Sequence, residues 1–292
     1  MLLTKKFILA FTCAVVAYSA SAMELTVLST GSKTGSFSIE SSAYAQDLSK
    51  NHKVKYLAPG NHCAAFAILQ QTKTPILFPW ATDFESVGRD GEGCATVSFK
   101  PEQIVRFNTD PMYACSLKPN LDAKTFITKG TGFKVGHTTV EFVFARTVLA
   151  VNKSFGTIHK PVVYNGQGMV KTALYNGEVD YALFSAKFVK DVVANGGTCH
   201  YVMSNQDRLG YPAIGKLDPS NQFLNGGYAT VWLMFNVDAG TVQSIKKELQ
   251  KNHHNADSAI VKATSDTLVI DWEQSPKSII DSWETNVSNM RR

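Results

Sequence analysis

The sequence predicts an α/β protein of two lobes, each built on a parallel-rich sheet. Three observations predict it. Residues 161–185 read as strand, turn, helix, turn, strand, and such a βαβ unit makes parallel sheets with a ligand crevice at the strand C-termini. A run of strand–loop–helix units starts at Glu24, and a later block of β-formers, 198–203, reads as the return of the chain to it. The lobes are then 23–116 plus 200–292, and 117–199, with crossings near 116–119 and 197–202.

The elements follow in order. Residues 24–30 alternate as a strand. A polar loop punctuated by Gly31 and Gly35 leads into a helix over 38–48, with Ile39, Ala43 and Leu48 apolar. Strand, Gly/Ser/Thr loop, helix is anion-binding geometry, because the first helical N–H groups are unpaired and lie at the positive dipole end. Lys33-Thr34 lacks the phosphate-loop frame, which disfavours a nucleotide. A strand over 53–57, a Pro59-Gly60-Asn61 turn, a helix over 62–70 and a strand over 75–80 come next. Residues 83–93 are polar and Gly-rich, a surface loop. Strands are expected over 104–108, 112–117 and 133–136, with a short helix over 123–129. His137-Thr138-Thr139 then cap a helix over 140–151, Thr being a favourable cap.

In the βαβ unit, Val162, Val163 and Tyr164 are β-formers and Asn165-Gly166 is a turn. Met169, Val170, Ala173 and Leu174 give one apolar helical face. Asn176-Gly177 stops the helix, since both tolerate the left-handed cap conformation. Residues 179–184 form a short buried strand, with Asp180 bracing it. Strands over 198–203 and 228–235 and a helix over 241–253 come next, and the segments 265–272 and 278–290, the latter a helix, close the chain.

The first 22 residues read as a secretory signal: Lys5 and Lys6, an apolar run over 7–17, and Ala20-Ser21-Ala22 as a small-residue cleavage site. Cys13 follows Phe11-Thr12, a poor context for lipid attachment. Cleavage leaves 270 of 292 residues, enough for two domains. No later stretch approaches a membrane span. The formal charge of +5 includes Lys5 and Lys6. No basic stripe interleaved with aromatics occurs, so nucleic acid is not an expected partner. Cys63, Cys94, Cys115 and Cys199 remain, an even number that suggests two disulfides with three connectivities. The favoured pairs are Cys63–Cys94, closing a short loop, and Cys115–Cys199, joining the strands that leave and re-enter the first lobe. Long spacings and the absence of C-x-x-C argue against a metal.

Several segments resemble the substrate-binding proteins of tripartite tricarboxylate transporters. Tyr164-Asn165-Gly166 is similar to that family's "PYxG" turn before a helix. Gly177-Glu178-Val179-Asp180 is similar to its "GxVD" stop before a strand whose end meets the ligand. Ala58-Pro59-Gly60-Asn61 with Ala64-Ala65 resembles its "rPGAGG" helix start. Residues 136–139 resemble its Gly/Ser-rich carboxylate loop, with Thr for Ser and His137 directly after Gly136. Residues 198–203 resemble the strand returning to the first domain. The family's first-loop "PGG" is absent, and Thr30-Gly31-Ser32 stands there. That loop, through Gly35, also resembles the start of TRAP-associated binding proteins.

The resemblance implies a type II periplasmic-binding fold with a ligand cleft between lobes. It implies a monomeric periplasmic receptor that hands a small organic anion, a carboxylate, to integral membrane transporter subunits. The candidate clamp has Thr30, Gly31, Ser32, Thr34, Ser36 and Phe37 on one wall. Gly136, His137, Thr138 and Thr139 form the other, with Tyr164, Gly166 and Ser185 at neighbouring strand ends. Phe37 and Trp80 are candidates to cover the ligand's apolar part or to serve the core. Seven histidines are scattered, and neither H-E-x-x-H nor G-x-S-x-G occurs, so neither catalysis nor a cofactor is expected. The alternatives are a receptor of a TRAP-associated or ABC-type transporter, or a periplasmic enzyme on the same scaffold.

Overall fold

The computed structural model describes residues 22–30, 35–81, 98–138, 142–224, 228–264, 269–270, 272 and 275–290. Two sheets organise them. The first contains β1 (Glu24–Leu28), β2 (Lys53–Leu57), β3 (Ile76–Ala81), β4 (Ile104–Asp110), β10 (Tyr228–Phe235) and β11 (Val269–Ile270), in the order β11-β4-β10-β3-β1-β2. The second contains β5 (Met112–Ser116), β6 (Lys134–Thr138), β7 (Lys160–Tyr164), β8 (Tyr181–Ser185) and β9 (Thr198–Met203), in the order β7-β6-β8-β5-β9. Helices α1 (Ser36–Leu48) and α2 (His62–Gln71) follow β1 and β2. Helices α3 (Ala123–Phe126), α4 (Phe142–Phe155), α5 (Gln167–Tyr175) and α6 (Ala186–Ala194) belong to the second half. Helices α7 (Ala239–His253), α8 (Ala259–Thr264) and α9 (Pro276–Met290) close the chain.

Each sheet is mixed, with a parallel trio (β2-β1-β3 and β7-β6-β8) and an inserted antiparallel strand. That strand is β10 in the first sheet, between β3 and β4. It is β5 in the second, between β8 and β9. The expected boundaries at 116 and 200 therefore shift. Met112–Ser116 and Thr198–Met203 both pair within the second sheet, so the chain changes sheets at Pro111 and between Met203 and Tyr228. Sequence patterning could not see this, because an apolar strand such as β5 looks alike in either sheet.

The helix capped by His137, Thr138 and Thr139 is also corrected. His137 and Thr138 continue β6 and pair with Val163 and Tyr164. Helix α4 starts at Phe142, and the expected Thr139 cap lies outside the described residues, as do the 83–93 loop and Gly31, Ser32 and Thr34.

The apolar pattern sets the packing. Val170, Ala173 and Leu174 of α5 are buried against β6 and β8. Gly136 permits that approach: a Cβ there would lie 3.1 Å from Val179 Cγ2 and 3.3 Å from Val170 Cγ1. Phe37 and Trp80 are 6% and 1% exposed and belong to the largest apolar cluster. Asp180 accepts from the Lys134 amide at 3.1 Å and from Lys118 at 2.5 Å, the bracing role expected of it.

A second buried set is charged. On α1, Glu40 accepts from Arg106 of β4 at 3.1 Å through one carboxylate oxygen and from Lys187 of α6 through the other. Arg106 also donates to Asn108 at 2.9 Å and to the Tyr44 hydroxyl, and its guanidinium lies over the Tyr44 and Trp232 rings. Glu40 and Arg106 are each 2% exposed. Burial pushes the Glu40 carboxyl up, but the Lys187 and Arg106 charges outweigh it and hold it below the ordinary carboxylate range. Glu40 is therefore ionised, and its stabilisation is full above the unfolded pKa of about 4.3 and is lost as pH falls through the lower folded value.

Two predictions follow from these contacts. Arg106→Met leaves Glu40 with half its partners, and urea unfolding is expected to show a loss of about 3–5 kcal/mol; a loss under about 1 kcal/mol contradicts the network's role. Glu40→Gln is expected to flatten the acid limb of the stability curve below about pH 4.3. Cys115 and Cys199 are directly opposed on β5 and β9 and form a disulfide as expected, 84 residues apart in sequence. Cys63 is also disulfide-bonded, and Cys94, its expected partner, lies outside the described residues. Replacing both Cys115 and Cys199 by Ala is expected to cost about 2–4 kcal/mol, read as a lowered urea midpoint at unchanged slope; an unchanged midpoint rejects it.

Candidate functional site

The topology places the strand C-termini of both sheets at one locus. β3 runs with β1, and β10 opposes both β3 and β4, so β1 to β4 share a direction. Their C-terminal ends carry Ser29 and Thr30, Leu57, Ala81 and Asp110. In the second sheet β5 opposes both β8 and β9, so β6 to β9 share a direction and end at Thr138, Tyr164, Ser185 and Met203. One residue, Pro111, separates β4 from β5. Met112, the first residue of β5, pairs with Ser185 and with Met203. The crossing therefore joins the two C-terminal edges directly. In open α/β sheets this edge is where ligands bind.

Helix N-termini converge there as well. α1, α5 and α6 begin beside the ends of β1, β7 and β8, and none has a side-chain cap. By contrast, Asn61, Asp122 and Asp238 cap α2, α3 and α7. Uncapped N-termini leave backbone donors and a positive dipole end for a bound anion. Gly166 makes the entry into α5 at φ +96°, a conformation that favours glycine.

Several buried polar atoms at these ends have no hydrogen-bond partner among the described residues. Thr30 is fully buried and its Oγ1 is unpaired. Gln167, the first residue of α5, accepts through Oε1 from the Ser185 amide and hydroxyl, each at 3.1 Å, while its buried Nε2 donates to nothing. His137, on β6, is 2% exposed. Its Nδ1 donates to the Thr138 carbonyl at 3.0 Å, which leaves Nε2 as a bare acceptor. Burial lowers the ring's pKa and the Thr138 bond offsets part of that, so the imidazole is neutral. Buried polar atoms are nearly always paired in folded proteins, and Thr30 Oγ1 on the first sheet and Gln167 Nε2 on the second are two such atoms at strand C-terminal ends without a partner among the described residues.

Of the residues singled out from sequence, Thr30, Ser36, His137, Thr138, Tyr164, Gly166 and Ser185 lie at these strand or helix ends. Gly136 serves helix packing, and the Tyr164 hydroxyl is turned to Glu178 at 3.4 Å. Gln167, Glu40, Arg106 and Lys187 were missed. Glu40 falls at helical spacing with Ala43, Tyr44 and Asp47, and Arg106 sits inside the apolar strand 104–107. A charge within an apolar stripe was the available signal. Among the described residues, no three His, Cys, Asp or Glu gather as a metal-holding group, and no helix is long and apolar enough to cross a membrane.

No protein-family profile and no curated protein sequence matches the chain. Solved structures do. A TctC solute-binding protein from Polaromonas, without ligand, aligns at a TM-score of 0.61 with 15% identity, over 94% of this chain and 98% of its own. The R. palustris protein Rpa4515 with adipate aligns at 0.70 with 13% identity, over 92% and 95%. MatC from Rhodopseudomonas palustris, with bound malate, aligns at 0.60 with 14% identity, over 91% and 97%. Together with the sheet topology, these alignments establish that the chain shares the two-lobed α/β fold of these structures.

Proposed function

We propose that this protein is a periplasmic solute-binding receptor. It captures a small organic anion, a mono- or dicarboxylate, between its lobes and delivers it to membrane subunits of a tripartite tricarboxylate-type transporter. The observation that carries this reading is the meeting of both sets of strand C-termini at the crossing, where three helices start without side-chain caps and Thr30 Oγ1 and Gln167 Nε2 are buried without a partner among the described residues. Adipate and malate in two proteins of the same fold point the same way.

The chemistry is binding by neutral donors. Helix N-termini contribute about 0.3–1 kcal/mol each to holding an anion when exposed, and up to about 2 kcal/mol when partly buried. Gln167 Nε2 and the Thr30 hydroxyl donate to carboxylate oxygens, each such bond being worth about 1.5–3 kcal/mol. Ser36, Thr138, Gly31, Ser32, Thr34 and Thr139 are further ligand contacts in this proposal. The neutral His137 ring accepts from a ligand hydroxyl or a bound water. Two lobes meeting over such a site suit ligand exchange by hinge motion. In this reading the receptor works as a monomer without a cofactor.

Thr30→Val separates binding from folding. It keeps the side-chain shape and removes a buried hydroxyl that has no partner, so thermal stability is expected to hold or rise. Calorimetric affinity for the tightest of a C4–C6 dicarboxylate panel, adipate and malate included, is expected to fall by roughly ten- to a hundredfold. Full affinity in Thr30→Val removes Thr30 from the site. Tight binding of a sugar or a cation, with every carboxylate inert, overturns the ligand class.

A further inference from the structure

We propose that Lys187 and Glu40 form an interlobe tie that holds the cleft shut in the ligand-free protein and fixes the first turn of α1 against the start of α6. The inference stands on the geometry of the ion pair and goes beyond the carboxylate reading, since it concerns the empty protein. Glu40 lies one turn into α1, which packs on the first sheet. Lys187 is the second residue of α6, which packs on the second. Both side chains are 3% exposed. Arg106 grips the other Glu40 oxygen from β4, so Glu40 is anchored within its own lobe and Lys187 is the member that crosses.

Two further observations separate this pair from an ordinary ion pair. The Lys187 ammonium also donates to the Ser36 carbonyl at 3.2 Å, in the first turn of α1 beside the proposed anion site. A cation at a helix N-terminus is opposed by the helix dipole, so Lys187 is poorly placed for α6 alone and is matched only by Glu40 across the lobes. Next to the pair, Ile39 packs on the apolar cluster of the second lobe that contains Tyr113, Phe184 and Phe188. Opening must pull a buried ion pair apart and expose this apolar contact, leaving Glu40 to Arg106. Lys187 and Glu40 are thus positioning residues: they set the separation of the two walls and the direction of the α1 N-terminus.

The test needs no ligand, so its outcome is independent of the carboxylate reading. Nitroxide labels at Lys55→Cys on β2 and Val163→Cys on β7, both exposed, report lobe separation by pulsed electron paramagnetic resonance. The ligand-free parent is expected to give one narrow, short distance distribution. Lys187→Met and Glu40→Gln, each checked for cooperative melting, are expected to add a longer and broader population. A parent distribution retained in the folded variants overturns the tie. So does a ligand-free parent that is already mostly at the long separation, an outcome readable even if a variant fails to fold.

Discussion

A one-residue crossing decides where this protein can bind. Pro111 is all that separates β4 of one sheet from β5 of the other, and β5 enters the second sheet antiparallel, between β8 and β9. Entry at that edge brings the C-terminal ends of both parallel trios to the crossing. Every unpaired donor and uncapped helix start of the candidate site lies at those ends because the strands that precede them all run the same way. A longer connection would leave the two edges free of one another. Proline suits the position: its fixed φ and missing N–H allow a strand to end and another to begin without an unpaired backbone donor.

The interior around the crossing is unusual in what it buries. Removing Glu40, Arg106 and Lys187 from water is costly, and mutual pairing offsets that cost only when every partner is present. Here the chain of contacts is continuous, from Lys187 through Glu40 and Arg106 to Asn108 and Tyr44, and on to His253, which lies 2.7 Å from the Tyr44 hydroxyl. Burial and the Arg106 charge push the His253 ring down to about 3, so it serves as a neutral partner. Arg106 and Lys187 are thereby both committed to Glu40. On the proposed reading, an anion in the cleft would meet amide and hydroxyl donors, while the buried charges serve the structure.

Periodicity made much of the fold legible. The βαβ unit over 161–185 appears as β7, α5 and β8, because its β-branched run, turn dipeptides and apolar helical face all agree. Sheet membership was not legible: β5 and β9 carry no mark of which sheet they join, and only pairing settles it. The end of β6 was misread because Thr138 and Thr139 are good caps locally, whereas pairing with β7 extends the strand through Thr138. Thr30 and Ser36 are candidates from sequence because a Gly-rich loop leading into a helix signals unpaired N–H groups, and the structure places them at the end of β1 and the start of α1. Gln167 was missed because an amide beside a turn glycine reads as an ordinary surface residue. Only the structure shows it buried, with one end used by Ser185 and the other bare.

The central claim is that the cleft is built for a carboxylate held by neutral donors. Native mass spectrometry of the protein released from the periplasm, followed by identification of the dissociated small molecule, tests it most directly. A one-to-one adduct whose released component is a small organic acid is expected. A released sugar, amino sugar or metal ion at the same stoichiometry would contradict it.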